Sequence, residues 1–567
     1  MQTARAGWQI GQTSLTKLLR WAGPLLFVGV LFYWPLANII GVGLAGDWLH
    51  TFAEPKVLEA IWFTVWQALV STAVCLVLGV PGAYVLYKKS FRGQKLLRAI
   101  ITVPLVLPTI VVAVTFTSFR GMHEIYRTIG ADFIVDAFVD NPIYWIIAAH
   151  VFINYSITVR TIGGVWATMD NETDEAAELA GAGRLRTLFS ITMPQLMPAV
   201  VSAAALTFLF CATSYGIVLI LGGGQVNSVE TEIAMAATQF LDLPKAAALA
   251  MMQTLLTVLA FVFSEHITKG AIGIEQVDES AHKPRLDKRD WLATTITFAT
   301  IGMLTVMPIV VVLSRSIMQS DGQLGFENFI NLAGQGERGL LNISVGQATL
   351  NTLRNVAISA VLAMSLGTYS AYLLSRPIGG RFRRLKSFAL RAIDVSLLLP
   401  MGVSSVVLGF GFLISFGGGP LPLRSSWLVV PLVQALMALP LVLRLVYPAL
   451  VSIGTDHREA ASTAGATARQ TWWHIESRMI RTVIVTAIGY SMVVSIGEFG
   501  AASLLAYGDQ ATLPTVLYAL ISRPGGINYG MAMAVTALLI LLTFALVAAV
   551  SARPSSRRYI FRRARRS

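Results

Sequence analysis

The chain has 567 residues, of which 55 % are hydrophobic and 13 % charged, and its mean hydropathy is +0.66. Soluble domains carry roughly 25 % charged residues, so the composition excludes a soluble globular protein and implies a polytopic membrane protein. The net charge of +13 does not announce a nucleic-acid partner, because the Lys and Arg gather at the ends of apolar runs.

In chain order, the basic residues Arg5, Lys17 and Arg20 precede a first apolar run at 21–46. That run is longer than a signal-peptide core and shows no obvious cleavage site, so it reads as a retained span. Further runs long enough to cross about 30 Å of hydrocarbon lie at 60–87, 99–119, 142–166, 195–221 and 245–264. After a charged stretch, six more follow at 291–314, 350–375, 386–416, 427–450, 481–506 and 529–551. The expected fold is all-α, with about twelve transmembrane helices in two six-helix repeats. Residues 1–264 make the first half, 265–290 a linker too polar to cross lipid, and 291–567 the second half with a basic C-terminal tail.

With the N-terminus placed in the cytoplasm, 34 of the 43 Lys and Arg fall on the cytoplasmic side and 8 in external loops. This positive-inside bias puts both termini in the cytoplasm. The acidic loop Asp170–Glu178 does not oppose it, because acids contribute little to topology.

The two halves are parallel repeats. Thr64, Gly79 and Ala83-Tyr84 recur as Thr352, Gly367 and Ala371-Tyr372, and Pro108 pairs with Pro400. The most informative duplication is polar: EAAELAGAGRLRTLFSITMP at 175–194 and EAASTAGATARQTWWHIESR at 459–478. Both copies hold Glu-Ala-Ala, a Gly six residues after the Glu and an Ile sixteen after it, at an offset of 284. An even number of spans separates them, so both face one side. Asn171 and Thr455-Asp456 are candidate N-caps. The alanines favour helix, and Gly181 and Gly465 end the helix or turn the chain.

This motif resembles the EAA loop of permease subunits of ATP-binding-cassette importers, which reads E-A-A, three residues, G, nine residues, I-x-L-P. Glu175, Ala176, Ala177, Gly181, Ile191 and Pro194 match, with Met193 in place of Leu. Glu459, Ala460, Ala461, Gly465 and Ile475 match in the second copy, which then departs at Ser477 and Arg478, placing its exit geometry in question. The resemblance spans almost the whole chain. It implies a type I importer permease with fused halves in a bacterial inner membrane, with coupling helices at 171–183 and 455–467. It also implies two copies of an ATPase subunit, and a soluble binding protein that delivers a small solute from outside. Stretches 217–240, 434–450 and 495–521 look most like the thiamine permease, so thiamine or its phosphates are the expected cargo. Ferric iron is the alternative, although iron permeases tend to carry K-E-L-P where this chain has Gly497-Glu498-Phe499-Gly500.

Glu498 is an acid deep in a span, a candidate for lining the translocation path or gate and facing a cationic substrate; the alternative is a carboxylate close to the outer mouth in water or paired with a backbone amide. Arg354 is expected to snorkel, and His150 to be a hydrogen-bonded interior residue. Cys75 and Cys211 lie in apolar runs, and the seven histidines show no metal-ligand spacing. Gly222–Gly224 and Gly417–Gly419 read as flexible elements of external loops. No Gly-Lys-Ser/Thr triplet occurs, so the chain is not expected to bind a cofactor or act as an enzyme; ATP would be used by the partner. An ion-coupled secondary transporter also fits twelve spans in parallel halves, but it would need buried relays that the chain offers sparsely.

Overall fold

The computed structural model describes residues 20–120, 141–169, 172–268, 284–319, 322–376, 383–417 and 426–551. Asn171, most of the linker, Gly418, Gly419 and the basic tail lie outside the described residues. Among the described residues the chain is helical, with two isolated β-bridges and no strand. Nine helices there are long and apolar enough to cross a bilayer, or up to twelve spans if three bent helix pairs each count as one. A helix satisfies every backbone group within its own segment, which is why apolar sequence this long folds this way.

The third and ninth spans are broken rather than straight. Gln94–Val106 and Thr109–Phe119 meet at 104°, and Phe388–Gly402 and Ser405–Phe416 meet at 100°. Pro108 explains the first break: it lacks an N–H and pushes the preceding residue out of the helical region, so Leu107 sits at ψ 140. Its partner Pro400 lies in a 3₁₀ turn, Leu399–Gly402, after which Val403 is extended. Ser404 then restarts the helix by accepting the Val406 N–H at 3.2 Å.

The fifth and eleventh spans are shorter than expected and also duplicated in form. Helix Met193–Ala212 stops before a short helix, Tyr215–Gly222, and helix Arg481–Gly497 before Gly500–Leu505. Stretches expected to be external loops contain two more short helices, Val229–Thr238 and Leu513–Ile521, whose residues Val229, Ile233, Leu513 and Leu517 are fully buried. The duplicated threonines position them. The Val229 N–H donates to Thr64 Oγ1 and the Leu513 N–H to Thr352 Oγ1, each at 2.9 Å.

Two compact units describe the packing. One comprises residues 43–346 and 514–540, the other 1–42, 347–513 and 541–567. The sequence halves record duplication and the units record packing, so the opening span of each half is grouped with the other half's helices. In the first unit, helices Pro55–Ala83, Pro142–Thr168 and Met193–Ala212 pack mutually, and Trp291–Ala299 lies on Pro55–Ala83. In the second, Val429–Val451 packs on Arg481–Gly497, and Ser405–Phe416 on Gly500–Leu505.

The paired glycines permit these approaches. A Cβ at Gly79 would lie 2.5 Å from Thr158 Cγ2, and one at Gly367 would lie 2.7 Å from Val442 Cγ1. Small residues at such crossings are the usual means of close packing in lipid, where no hydrophobic force draws helices together.

Candidate coupling site

The two Glu-Ala-Ala segments fold in the same register. Eight-residue helices Glu172–Leu179 and Asp456–Thr463 are followed by one-turn helices Arg184–Thr187 and Ala468–Thr471, then by π turns Leu188–Thr192 and Trp472–Glu476. Every boundary repeats at the offset of 284 seen in the sequence. The π turn is a rare form that tends to occur at functional positions.

The glycine of each motif has a definite physical role. Gly181 lies at φ +84 and Gly465 at φ +81, a left-handed conformation that costs other residues about 1–2 kcal/mol. The chain turns back on itself there. The Ala182 N–H donates to Ala177 O at 2.9 Å and the Ala466 N–H to Ala461 O at 3.0 Å, closing each helix with a six-to-one bond. No atom lies within 4 Å of where a Cβ would project at either glycine, so conformation alone demands Gly.

Ala176, Glu459, Ala460 and Gly465 are exposed, Ala177 is half-buried and Ala461 is buried. Glu175 contributes its backbone to the first helix; its side chain lies outside the described residues. Thr455 occupies the N-cap position of the second helix, but its side chain caps no amide and instead donates to Asp456 Oδ1 at 3.4 Å. The exits of the two segments differ. Leu188–Ala212 continues as one span through Pro194, whereas Ala468–Met479 meets Arg481–Gly497 at 75°. The departure from Leu-Pro at Ser477-Arg478 therefore coincides with a different exit.

Glu498 sits at the break in the eleventh span, 6 % exposed. Its Oε1 accepts the Ala501 N–H at 2.7 Å and its Oε2 the Ala502 N–H at 3.1 Å. The carboxylate thus serves two of the otherwise orphaned donors of helix Gly500–Leu505, where the helix dipole also favours a negative charge. The corresponding break in the first half carries Ser214.

A carbonyl just before each break accepts from a glutamine side chain. Gln67 Nε2 donates to Cys211 O at 2.9 Å, and Gln434 Nε2 to Ser495 O at 3.0 Å. Beside them, Ser71 Oγ meets His150 Nδ1 at 3.1 Å, and Ser359 Oγ donates to Ser495 Oγ at 2.7 Å. His150 is thus an interior hydrogen-bonded residue. Cys75 and Cys211 are free, buried thiols. Arg354, expected to snorkel, is tied within the protein: its Nη2 donates to Gln510 Oε1 at 2.9 Å, and its guanidinium lies 5.0 Å from the Trp427 ring centre.

Sequence reasoning missed Glu476, whose side chain is fully buried between Arg376 and Arg458. It also missed Asp290, held by Lys89 at 3.0 Å and Tyr84 at 2.9 Å. The available signal was an acid flanked by aromatics in TWWHIESR; the arginines are 18 and 100 residues away, so spacing could not pair them.

The family described as binding-protein-dependent transport system inner membrane component matches twice, at residues 75–272 and 363–560. The thiamine transport system permease protein of Escherichia coli is 24 % identical over 548 residues, covering 94 % of each chain. That of Haemophilus influenzae is 24 % identical over 86 % of this chain and 88 % of its own length. The sulfate transport system permease protein of Salmonella typhimurium is 28 % identical over 254 residues, which is 91 % of its length but 44 % of this chain. Most of that relative's length therefore aligns with less than half of the present sequence. With two matches that together cover most of its length, this multi-pass inner-membrane chain belongs to the family of binding-protein-dependent transport system inner membrane components, as a permease subunit with both halves fused.

Proposed function

We propose that this permease forms the translocation path for thiamine or thiamine phosphates, driven by two copies of a separate ATPase subunit. Under this reading, Glu175, Ala176, Ala177 and Gly181 of the first segment, and Glu459, Ala460, Ala461 and Gly465 of the second, seat the coupling helices against those ATPases. ATP is then consumed by the partner, and this chain binds no cofactor. Both termini and both coupling segments lie in the cytoplasm, and a soluble binding protein delivers cargo from the opposite side. The observation that carries the coupling role is the register of the two segments. A duplicated helix, left-handed glycine and π turn, with every boundary at the same offset, is what two docking points of one kind require.

The cargo rests on likeness to thiamine permeases along nearly the full chain. The breaks in the fifth and eleventh spans supply polar backbone at depth, which membrane proteins tolerate where it is buried or lines a path. Glu498 belongs to that path through the break it caps. The direct test reconstitutes the chain with its genomically neighbouring ATPase and binding protein in vesicles. ATP-dependent accumulation of labelled thiamine, unaffected by excess ferric ion, is the expected result. Accumulation by the purified chain alone would refute the scheme.

A further inference from the structure

Glu476, at the end of the second π turn, has no exposed side-chain surface. Its Oε1 accepts from Arg376 Nη1 at 2.9 Å and from Arg458 Nε at 2.6 Å, and its Oε2 accepts from Arg376 Nη2 at 2.7 Å. Arg376 lies two residues past the end of helix Val345–Leu374 and over the Tyr372 ring at 3.8 Å. Tyr372 in turn meets Trp472 of the π turn edge-on at 5.3 Å. Arg458 lies in the short helix beside Glu459 and donates a further bond to Leu450 O at 2.9 Å, near the end of helix Val429–Val451. One buried carboxylate therefore gathers the ends of two spans and the coupling helix. The pairing with Arg376 is bidentate, which fixes orientation as well as distance.

The first segment has different residues at the matching positions. Lys88, Asp174 and Thr192 stand where the second half has Arg376, Arg458 and Glu476. No carboxylate held by two guanidiniums can be assembled from those three. Lys88 Nζ donates to Met169 O at 3.2 Å, while the neighbouring Lys89 and Tyr84 hold Asp290 at the start of the seventh span.

We propose that Glu476 is a positioning residue that makes the second coupling helix move as one body with the adjoining ends of the eighth and tenth spans, so that the two ATPase contacts transmit unequal shares of the stroke. This rests on the coupling role assigned above. A carboxylate enclosed in this way cannot slip without stranding a buried charge, which makes the joint stiff. Neutralising it loosens the joint without removing any surface that meets the ATPase.

The test uses the complete transporter in vesicles and reads labelled thiamine taken up per ATP hydrolysed. Arg376→Gln and Glu476→Gln retain the ATPase and keep hydrolysing ATP, but uptake per ATP falls at least fivefold. Glu476→Asp, which keeps the charge, recovers part of the loss, and Thr192→Val in the first segment changes the ratio less than twofold. Should Glu476→Gln not fold, Arg376→Gln carries the same test, because it leaves Glu476 paired with Arg458. An unchanged ratio in assembled Arg376→Gln complexes, or an equal fall in Thr192→Val, overturns the proposal and leaves the coupling reading standing. Failure of the unaltered chain to retain an ATPase overturns both.

Discussion

Replacing Gly181 or Gly465 by Ala isolates a single physical term. The added Cβ meets no atom within 4 Å at either site, so the substitution creates no clash. What remains is the conformation: φ of +84 and +81 in an L-residue with a Cβ costs about 1–2 kcal/mol. Alanine's smaller freedom in the opened chain gives back about 0.4–1 kcal/mol at a compatible site, and rather less here. The closed helix end is therefore destabilised by about 0.5–1.5 kcal/mol, which is roughly a 2- to 12-fold shift toward the open form. Amide exchange reports such local opening directly. In detergent or nanodiscs, peptides containing Ala182 or Ala466 should exchange faster by that factor. Asn in place of Gly should accelerate exchange less than Ala, since Asn tolerates the left-handed region. Gly41→Ala is the control: it is helical, with an open Cβ position and no positive φ, and should leave both peptides unchanged. Equal exchange in Gly465→Ala and unaltered protein, or a gain at one glycine and a loss at the other, would refute the left-handed conformation as the reason for Gly at these helix ends.

Gly367→Ala should destabilise the second unit, because its Cβ would press on Val442 Cγ1 at 2.7 Å and Cβ at 2.9 Å. Overpacking of this kind costs about 1–3 kcal/mol against about 1 kcal/mol gained in helix propensity. A double-mutant cycle with Val442→Ala, followed by denaturant unfolding, should show coupling of at least about 0.5 kcal/mol, and strict additivity would disprove the close crossing. Glu498→Gln keeps one acceptor oxygen and leaves a buried N–H poorly served, at about 1–3 kcal/mol. The complex should still assemble while uptake slows; identical transport kinetics would remove Glu498 from the path. Glu459→Arg reverses an exposed charge without touching the core, so the chain should fold normally but retain less ATPase on co-purification. Cysteines placed at 175 and 459 should both react with a reagent confined to the cytoplasmic face, and labelling from opposite faces would undo the parallel-repeat topology.

Composition and apolar run length were enough to read an all-α membrane protein, because in lipid a helix is the one way a single segment can satisfy its own backbone. The duplicated Glu-Ala-Ala segments were legible for a related reason. Alanine preference, the left-handed demand at Gly181 and Gly465 and the constant offset are local properties, carried within about twenty residues. The breaks were only half visible. Pro108 and Pro400 stood in the sequence, but the angles of 104° and 100° depend on how each second helix packs. Nothing local marked Ser214 and Glu498 as matching break positions, and the buried helices Val229–Thr238 and Leu513–Ile521 passed for loops until Thr64 and Thr352 were seen to hold their first amides. Glu476 was least legible of all. Its partners come from the end of one span and from the coupling helix, and only folding brings Arg376 and Arg458 to the same carboxylate. Periodicity and turn chemistry act between near neighbours, so the sequence could specify the elements and their duplication. Ion pairing and close helix crossings act between residues far apart in the chain, so their outcome was decided by the tertiary structure.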